Sequence, residues 1–101
     1  MKLANWFEIS EKEYMWYILQ GYEIRASEDW ITWDLDGKLH RTDGPAIERA
    51  NGTREWYLNG KLHRTDGPAR ERADGTREWY LNGKEITETE WKKQVETSKL
   101  V

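Results

Sequence analysis

The chain has 101 residues, no cysteine, and 35% charged side chains against 37% hydrophobic ones. That length supports one domain with a modest core. Seven Trp and five Tyr offset the low aliphatic content, because each aromatic buries roughly 150–250 Å². The missing cysteine excludes disulfides, thiolate nucleophiles and Cys-based zinc sites. A net charge of −3 with no long block of one sign offers no phosphate-tracking groove.

Residues 1–29 hold three basic and six acidic side chains and are expected to cap one end with a strand and a helix. Met1-Lys2-Leu3-Ala4-Asn5-Trp6 has no apolar signal core, and no stretch approaches ~18 apolar residues. The expectation is a soluble, cytoplasmic protein with no membrane partner. Ser10-Glu11-Lys12-Glu13 is a capping box, with Ile9 and Tyr14 placed as its hydrophobic staple. The helix it starts is predicted to run through Met15–Leu19 to Gly21.

Residues 30–84 are repeats. The stretch 37–52, GKLHRTDGPAIERANG, returns at 60–75 with only two changes, Ile47 to Arg70 and Asn51 to Asp74. TREWYLNGK stands at 53–61 and again at 76–84. Trp33, Trp56 and Trp79 are spaced by 23, which fixes the period and gives two full units with part of a third. Each unit has two Asx-Gly hairpin signals, Asp36-Gly37, Asn59-Gly60 and Asn82-Gly83 against Asn51-Gly52 and Asp74-Gly75. Asp43-Gly44-Pro45 and Asp66-Gly67-Pro68 mark bends between them.

Charge sets the register. A two-residue turn at Asn51-Gly52 would oppose Arg49 to Arg54 and Glu48 to Glu55, which is unfavourable. A three-residue loop from Ala50 to Gly52 instead pairs Glu48 with Arg54, and likewise Glu71 with Arg77 and Arg70 with Glu78. It also sets Ala46 opposite Trp56 and Ala69 opposite Trp79. Strand alternation then sends Trp33, Trp56, Trp79 and Leu35, Leu58, Leu81 to one side as a buried row. Tyr57, Tyr80, Glu55 and Glu78 face the other way. Residues 85–101 close the array: Thr87-Glu88-Thr89-Glu90 repeats the capping box, with Ile86 and Trp91 as staple and Val95 on the face of Trp91. The two helices are expected to hide the open strand edges. The fold class is α+β, one domain over 1–101: an antiparallel β-hairpin meander of 23-residue units capped by an N-terminal and a C-terminal helix.

The stretch Trp56-Tyr57-Leu58-Asn59-Gly60-Lys61-Leu62-His63 resembles the MORN repeat, an aromatic–x–x–Asn–Gly–Lys–x–His pattern on the same period. The likeness is to the variant in small bacterial, phage and giant-virus proteins and an antitoxin-like group, and it covers about residues 30–84. Arg64-Thr65-Asp66 before Gly67-Pro68 departs from the pattern. The resemblance implies stacked hairpins that bind proteins or, in some members, lipids, and no chemistry.

The residues agree with that expectation. His40 and His63 are the only imidazoles, one per unit at the same position, where tandem duplication argues for hydrogen bonding or partner contact over catalysis. They lack metal-ligand spacing with Asp43 and Asp66, and those carboxylates sit in turns. No catalytic residue, cofactor or metal is therefore expected. The leading function is a non-enzymatic protein-binding module of phage or bacterial origin. It would inhibit or sequester a host or toxin protein, as an anti-defence protein such as an anti-CRISPR or as an antitoxin. Candidate partner-binding residues are Tyr57, Tyr80, Arg70, Glu55, Glu78, His40 and His63, with Tyr and Arg as the usual interface anchors. The competing reading of that face packs its tyrosines beneath the N-terminal helix, against Tyr14, Tyr17 or Ile18. The alternative function is a small-ligand or nucleotide binder using the Trp/Arg/His ladder. Near-neutral repeats make nucleic acid a poor partner.

Overall fold

The computed structural model describes residues 1–99, so the last two residues assigned to the C-terminal cap lie outside the described residues. The fold is α+β. An N-terminal hairpin, β1 (Lys2–Ala4) and β2 (Phe7–Glu8), leads into α1 (Glu11–Leu19) and then β3 (Tyr22–Ala26) and β4 (Trp30–Leu35). The repeats supply β5 (Lys38–Leu39), β6 (Ile47–Arg49), β7 (Arg54–Glu55), β8 (Tyr57–Leu58), β9 (Lys61–Leu62) and β10 (Arg70–Glu71). They continue through β11 (Arg77–Leu81) and β12 (Lys84–Ile86) into α2 (Glu88–Lys99). The main antiparallel sheet runs β12-β11-β10-β7-β6-β4-β3, with β5 beside β4 and β8–β9 as a separate hairpin.

The two turn classes differ as their residues dictate. Asp36, Asn59 and Asn82 have φ of 53°, 52° and 51°, each followed by a positive-φ glycine. This is the two-residue turn that joins Leu35 to Lys38, Leu58 to Lys61 and Leu81 to Lys84. At Gly52 and Gly75 only the glycine is positive, and Asn51 and Asp74 accept from the Thr53 and Thr76 N–H groups at 2.9 Å. The resulting register pairs Glu48 with Arg54, Glu71 with Arg77 and Arg70 with Glu78, as charge requires.

Beyond those pairs the ladder departs from the expected register. Each alanine bonds to the tryptophan of its own hairpin side: Trp33 N–H donates to the Ala46 carbonyl and Trp56 N–H to Ala69, both at 2.8 Å. The same tryptophans accept from His40 and His63 N–H at 3.0 Å. At each Trp the strand thus changes partner, its N–H going to the following segment and its C=O to the short hairpin.

The buried row is also uneven. Trp33 is fully enclosed, whereas Trp56 and Trp79 are half-buried. The difference comes from what lies beside them. The main core gathers at the N-terminal end, where Ala4, Ile9, Tyr17, Tyr22 and Ile31 close around Trp33. Phe7 and Tyr17 meet its ring edge-on, at 5.7 and 6.4 Å. At the other end Trp91 of α2 covers Trp79, ring centres 4.6 Å apart, with Val95 buried beside it.

Neither sheet edge is hidden by α1 as expected. The helix lies on the tryptophan side, and β3 pairs with β4 as an extra strand, from Tyr22↔Leu35 to Ala26↔Ile31. Its exposed Glu23 and Arg25 form an ion pair at 3.0 Å along this outer strand, the charged kind of edge that resists pairing with other chains. Both helix caps form: Ser10 Oγ accepts from Glu13 N–H at 3.0 Å and Thr87 Oγ1 from Glu90 N–H at 3.1 Å. Thr87→Ala should cost about 1 kcal/mol, read as a lower urea midpoint at constant slope. An unchanged midpoint would show that Trp91 alone holds α2.

Candidate functional site

The structure brings Glu55, Arg70, Glu78, Tyr57 and Tyr80 together on one side of the sheet, but as a closed network. Glu55 is 5% exposed and lies between Arg49 at 3.5 Å and Arg70 at 3.1 Å. Arg70 also reaches Glu78 at 3.0 Å, and Glu78 is paired with Arg72. The Tyr57 hydroxyl donates to Glu55 at 3.3 Å and the Tyr80 hydroxyl to Glu78 at 3.5 Å. Hydrogen bonding from Arg72, with Arg70 adding to it, holds the Glu78 carboxyl below its ordinary value. Burial raises the Tyr57 phenol. Neither tyrosine lies under α1, whose Tyr17 packs against Trp33 instead. The face is therefore a rigid ion ladder whose central members are committed to one another, leaving Arg49 and Arg72 as its half-exposed rim.

The histidines are tied to the architecture. His40 Nδ1 accepts from Asn59 N–H at 3.0 Å, and His63 Nδ1 from Asn82 N–H at 2.9 Å. Each unit's imidazole thus steadies the left-handed turn of the next. Protonation would replace that acceptor with a donor. Burial lowers the His63 pKa from 6.5, so the unfolded chain binds the proton more readily than the folded one. Its contribution is complete above pH 6.5 and is lost as pH falls through the lowered value. The stability gap between the chain and His63→Gln should narrow over that window. A gap independent of pH would mean that the Asn82 bond survives protonation.

On the tryptophan side the same motif acts twice. Arg41 lies over the Trp33 ring with Cζ 4.0 Å from its centre, and Arg64 over Trp56 at 3.8 Å, a cation–π arrangement. Their Nη1 groups donate to the Pro45 and Pro68 carbonyls at 3.1 Å. Gly44 and Gly67 leave room for this: a Cβ there would come within 2.9 and 2.7 Å of the guanidinium carbon. The Arg-Thr-Asp-Gly-Pro segment that departs from the repeat pattern is therefore a folded clamp on the indole. Sequence reasoning treated Asp43 and Asp66 as turn caps and missed this pairing, although the segment is identical in both units.

Between the two clamps lies a groove of about 500 Å³, lined chiefly by Asp43, Trp56, Leu58, His63, Arg64 and Asp66. Of the seven candidate residues, the groove includes His63 alone. A separate apolar patch on α1 leaves Met15, Trp16, Ile18 and Leu19 exposed, Leu19 by 76%. Among the described residues no group of three or more His, Asp or Glu is disposed to hold a metal ion, and no helix is long and apolar enough to cross a membrane. Compared with known proteins, the chain matches no family model, no curated sequence and no solved structure.

Proposed function

We propose that the chain is a MORN-like, non-enzymatic protein-binding module that sequesters or inhibits a host or toxin protein in a phage or bacterial setting, in the manner of an anti-defence protein or an antitoxin. The observation that carries the protein-binding reading is the open groove over Trp56, which combines an aromatic floor with charged walls. Concave sites with an aromatic anchor and convergent polar groups are the usual form of a recognition surface. The nucleotide alternative draws less support, because the cations of the groove, Arg41 and Arg64, are already paired with Asp43 and Asp66, and a phosphate would meet those carboxylates.

Affinity capture from the native host, followed by nuclease treatment, tests this reading. A protein partner should survive nuclease. Thr65→Arg, at an exposed position on the groove wall, should weaken capture by about tenfold or more with the melting midpoint unchanged. Loss in Tyr80→Ala, with Thr65→Arg unaffected, would move the interface to the tyrosine face. Capture abolished by nuclease would remove the protein-binding reading.

A further inference from the structure

The first unit shows what its clamp recognises. Tyr17, carried by α1, sets its hydroxyl between the two charged groups of the Arg41-Thr42-Asp43 segment. The hydroxyl donates to Asp43, 2.6 Å from Oδ1 and 2.7 Å from Oδ2, and accepts from Arg41 Nε–H at 3.0 Å. The phenol ring also lies beneath the Arg41 guanidinium, 5.3 Å from its centre. Burial, then the hydrogen bond to Asp43, pushes the phenol up to about 12, so it stays a donor.

The second unit repeats every protein group of that arrangement without the phenol. Trp56, Arg64 and Asp66 stand where Trp33, Arg41 and Asp43 stand one unit earlier. Arg64 Nε reaches Asp66 directly at 2.8 Å, whereas the equivalent Arg41–Asp43 separation, with the phenol between them, is 3.3 Å. The Asp66 side chain is 83% exposed, against 57% for Asp43. The third unit fills its corresponding space in a related way. Trp91, again from a helix, packs at a tilt against Trp79 and donates its Nε1–H to the Arg64 carbonyl at 2.8 Å. Both outer units thus hold a helix-borne aromatic with a hydrogen-bond donor. Trp91 touches the middle unit only at the Arg64 backbone; among the described residues no aromatic ring packs on Trp56 and no phenol reaches Asp66.

We infer that the groove over Trp56 is a receptor for a tyrosine side chain presented by a helix of a partner protein, its ring on the Trp56–Arg64 wall and its hydroxyl on Asp66. The inference rests on the protein-binding reading and names the chemistry of its partner. The fit is one of charge as well as shape. A phenol donates to Asp66 while accepting from Arg64, and a phenylalanine can do neither.

The test uses the full chain with ¹⁵N-labelled Trp and Arg, titrated with N-acetyl-tyrosinamide and with N-acetyl-phenylalaninamide. The tyrosine probe should shift the Trp56 indole and Arg64 Nε resonances in saturable fashion. The phenylalanine probe should bind about tenfold more weakly, as for loss of a hydrogen bond to a charged group. Asp66→Ala, which alters an exposed side chain, should weaken the tyrosine probe by about the same factor and leave the phenylalanine probe unaffected. Equal affinity of the two probes, shifts confined to the Tyr57/Tyr80 face, or indifference to Asp66→Ala would overturn the inference. So would probe-free shifts at Trp56 that grow with protein concentration, which would make a second copy the occupant. If a captured protein binds Asp66→Ala as tightly as the parent chain, this receptor is refuted while the protein-binding function stands. If the probe binds as described and nothing proteinaceous is ever captured, the receptor's tyrosine preference holds and the protein-binding function falls.

Discussion

Trp33→Ala should be the most damaging aromatic truncation in the molecule, costing about 3–5 kcal/mol. The ring is wholly buried and is held by Phe7, Tyr17 and the Arg41 guanidinium together. Its loss opens a cavity where α1, the N-terminal hairpin and the sheet meet, and these cannot all move inward at once. For a domain with roughly 5–15 kcal/mol of stability, that is a large share. Trp56→Ala, at a half-buried position of the same repeat, should cost nearer 2 kcal/mol. Among the described residues the Trp33 Nε1–H finds no hydrogen-bond partner, so Trp33→Phe removes a donor unsatisfied there and should be much milder than Trp33→Ala. Urea unfolding of the three variants gives the ranking. Equal losses at Trp33 and Trp56 would contradict the uneven core.

Arg70→Ile, which restores the residue of the preceding unit, should cost about 3 kcal/mol although it adds an apolar side chain to a half-buried site. Glu55 is flanked by Ile47 on one side and Arg70 on the other. Without Arg70 it keeps the Tyr57 hydroxyl and, as its remaining cation among the described residues, Arg49, whose side chain is 45% exposed. A buried carboxylate robbed of its nearer cation is the costly case, whereas removing both charges is frequently neutral. Glu55→Val combined with Arg70→Ile should therefore recover most of the loss, and a double-mutant cycle measures the coupling directly. The pH profile adds a second check. Because the Glu78 carboxyl is held below its ordinary 4.5, its contribution is present above that pH and is lost as pH falls through the lowered value. In Arg70→Ile that acid-side loss should shrink. A cycle with no coupling would mean the ladder is decorative.

The sequence carried the local chemistry of this fold further than its burial. Asx-Gly pairs, opposed charges and the two Ser/Thr caps are short-range signals, and each appears where its residues require. Trp33 and Trp56 occupy the same repeat position, so nothing local distinguishes them, and the difference arises from residues 1–29 folding onto one and not the other. The strand β3 had its own readable signal, Tyr22, Ile24 and Ala26 alternating with Glu23 and Arg25. A strand was expected within residues 1–29, but as part of a cap and not, as found, paired with β4 in the main sheet. For the candidate site, proximity was legible and availability was not. Alternation placed Tyr57, Tyr80, Glu55 and Glu78 on one face, but only the pairing across three strands shows Glu55 and Arg70 already engaged. The Trp56 groove is made by loops from two different units, and no window within one unit contains it.

The link from His40 to Asn59 and from His63 to Asn82 has a consequence for how this chain could grow. Each imidazole reaches forward to one turn only, so every join between units is local and alike. A copy of residues 53–75 inserted after Gly75 would meet the same join on both sides and leave the two helices on their own tryptophans. Stability would rise by a repeated increment, as in a one-dimensional array. Such a chain would also hold two open tryptophan grooves in place of one. A partner with two matching side chains would then bind by avidity, the second contact made at an effective concentration set by a rigid spacing and not by a linker. The number of units would set the valency.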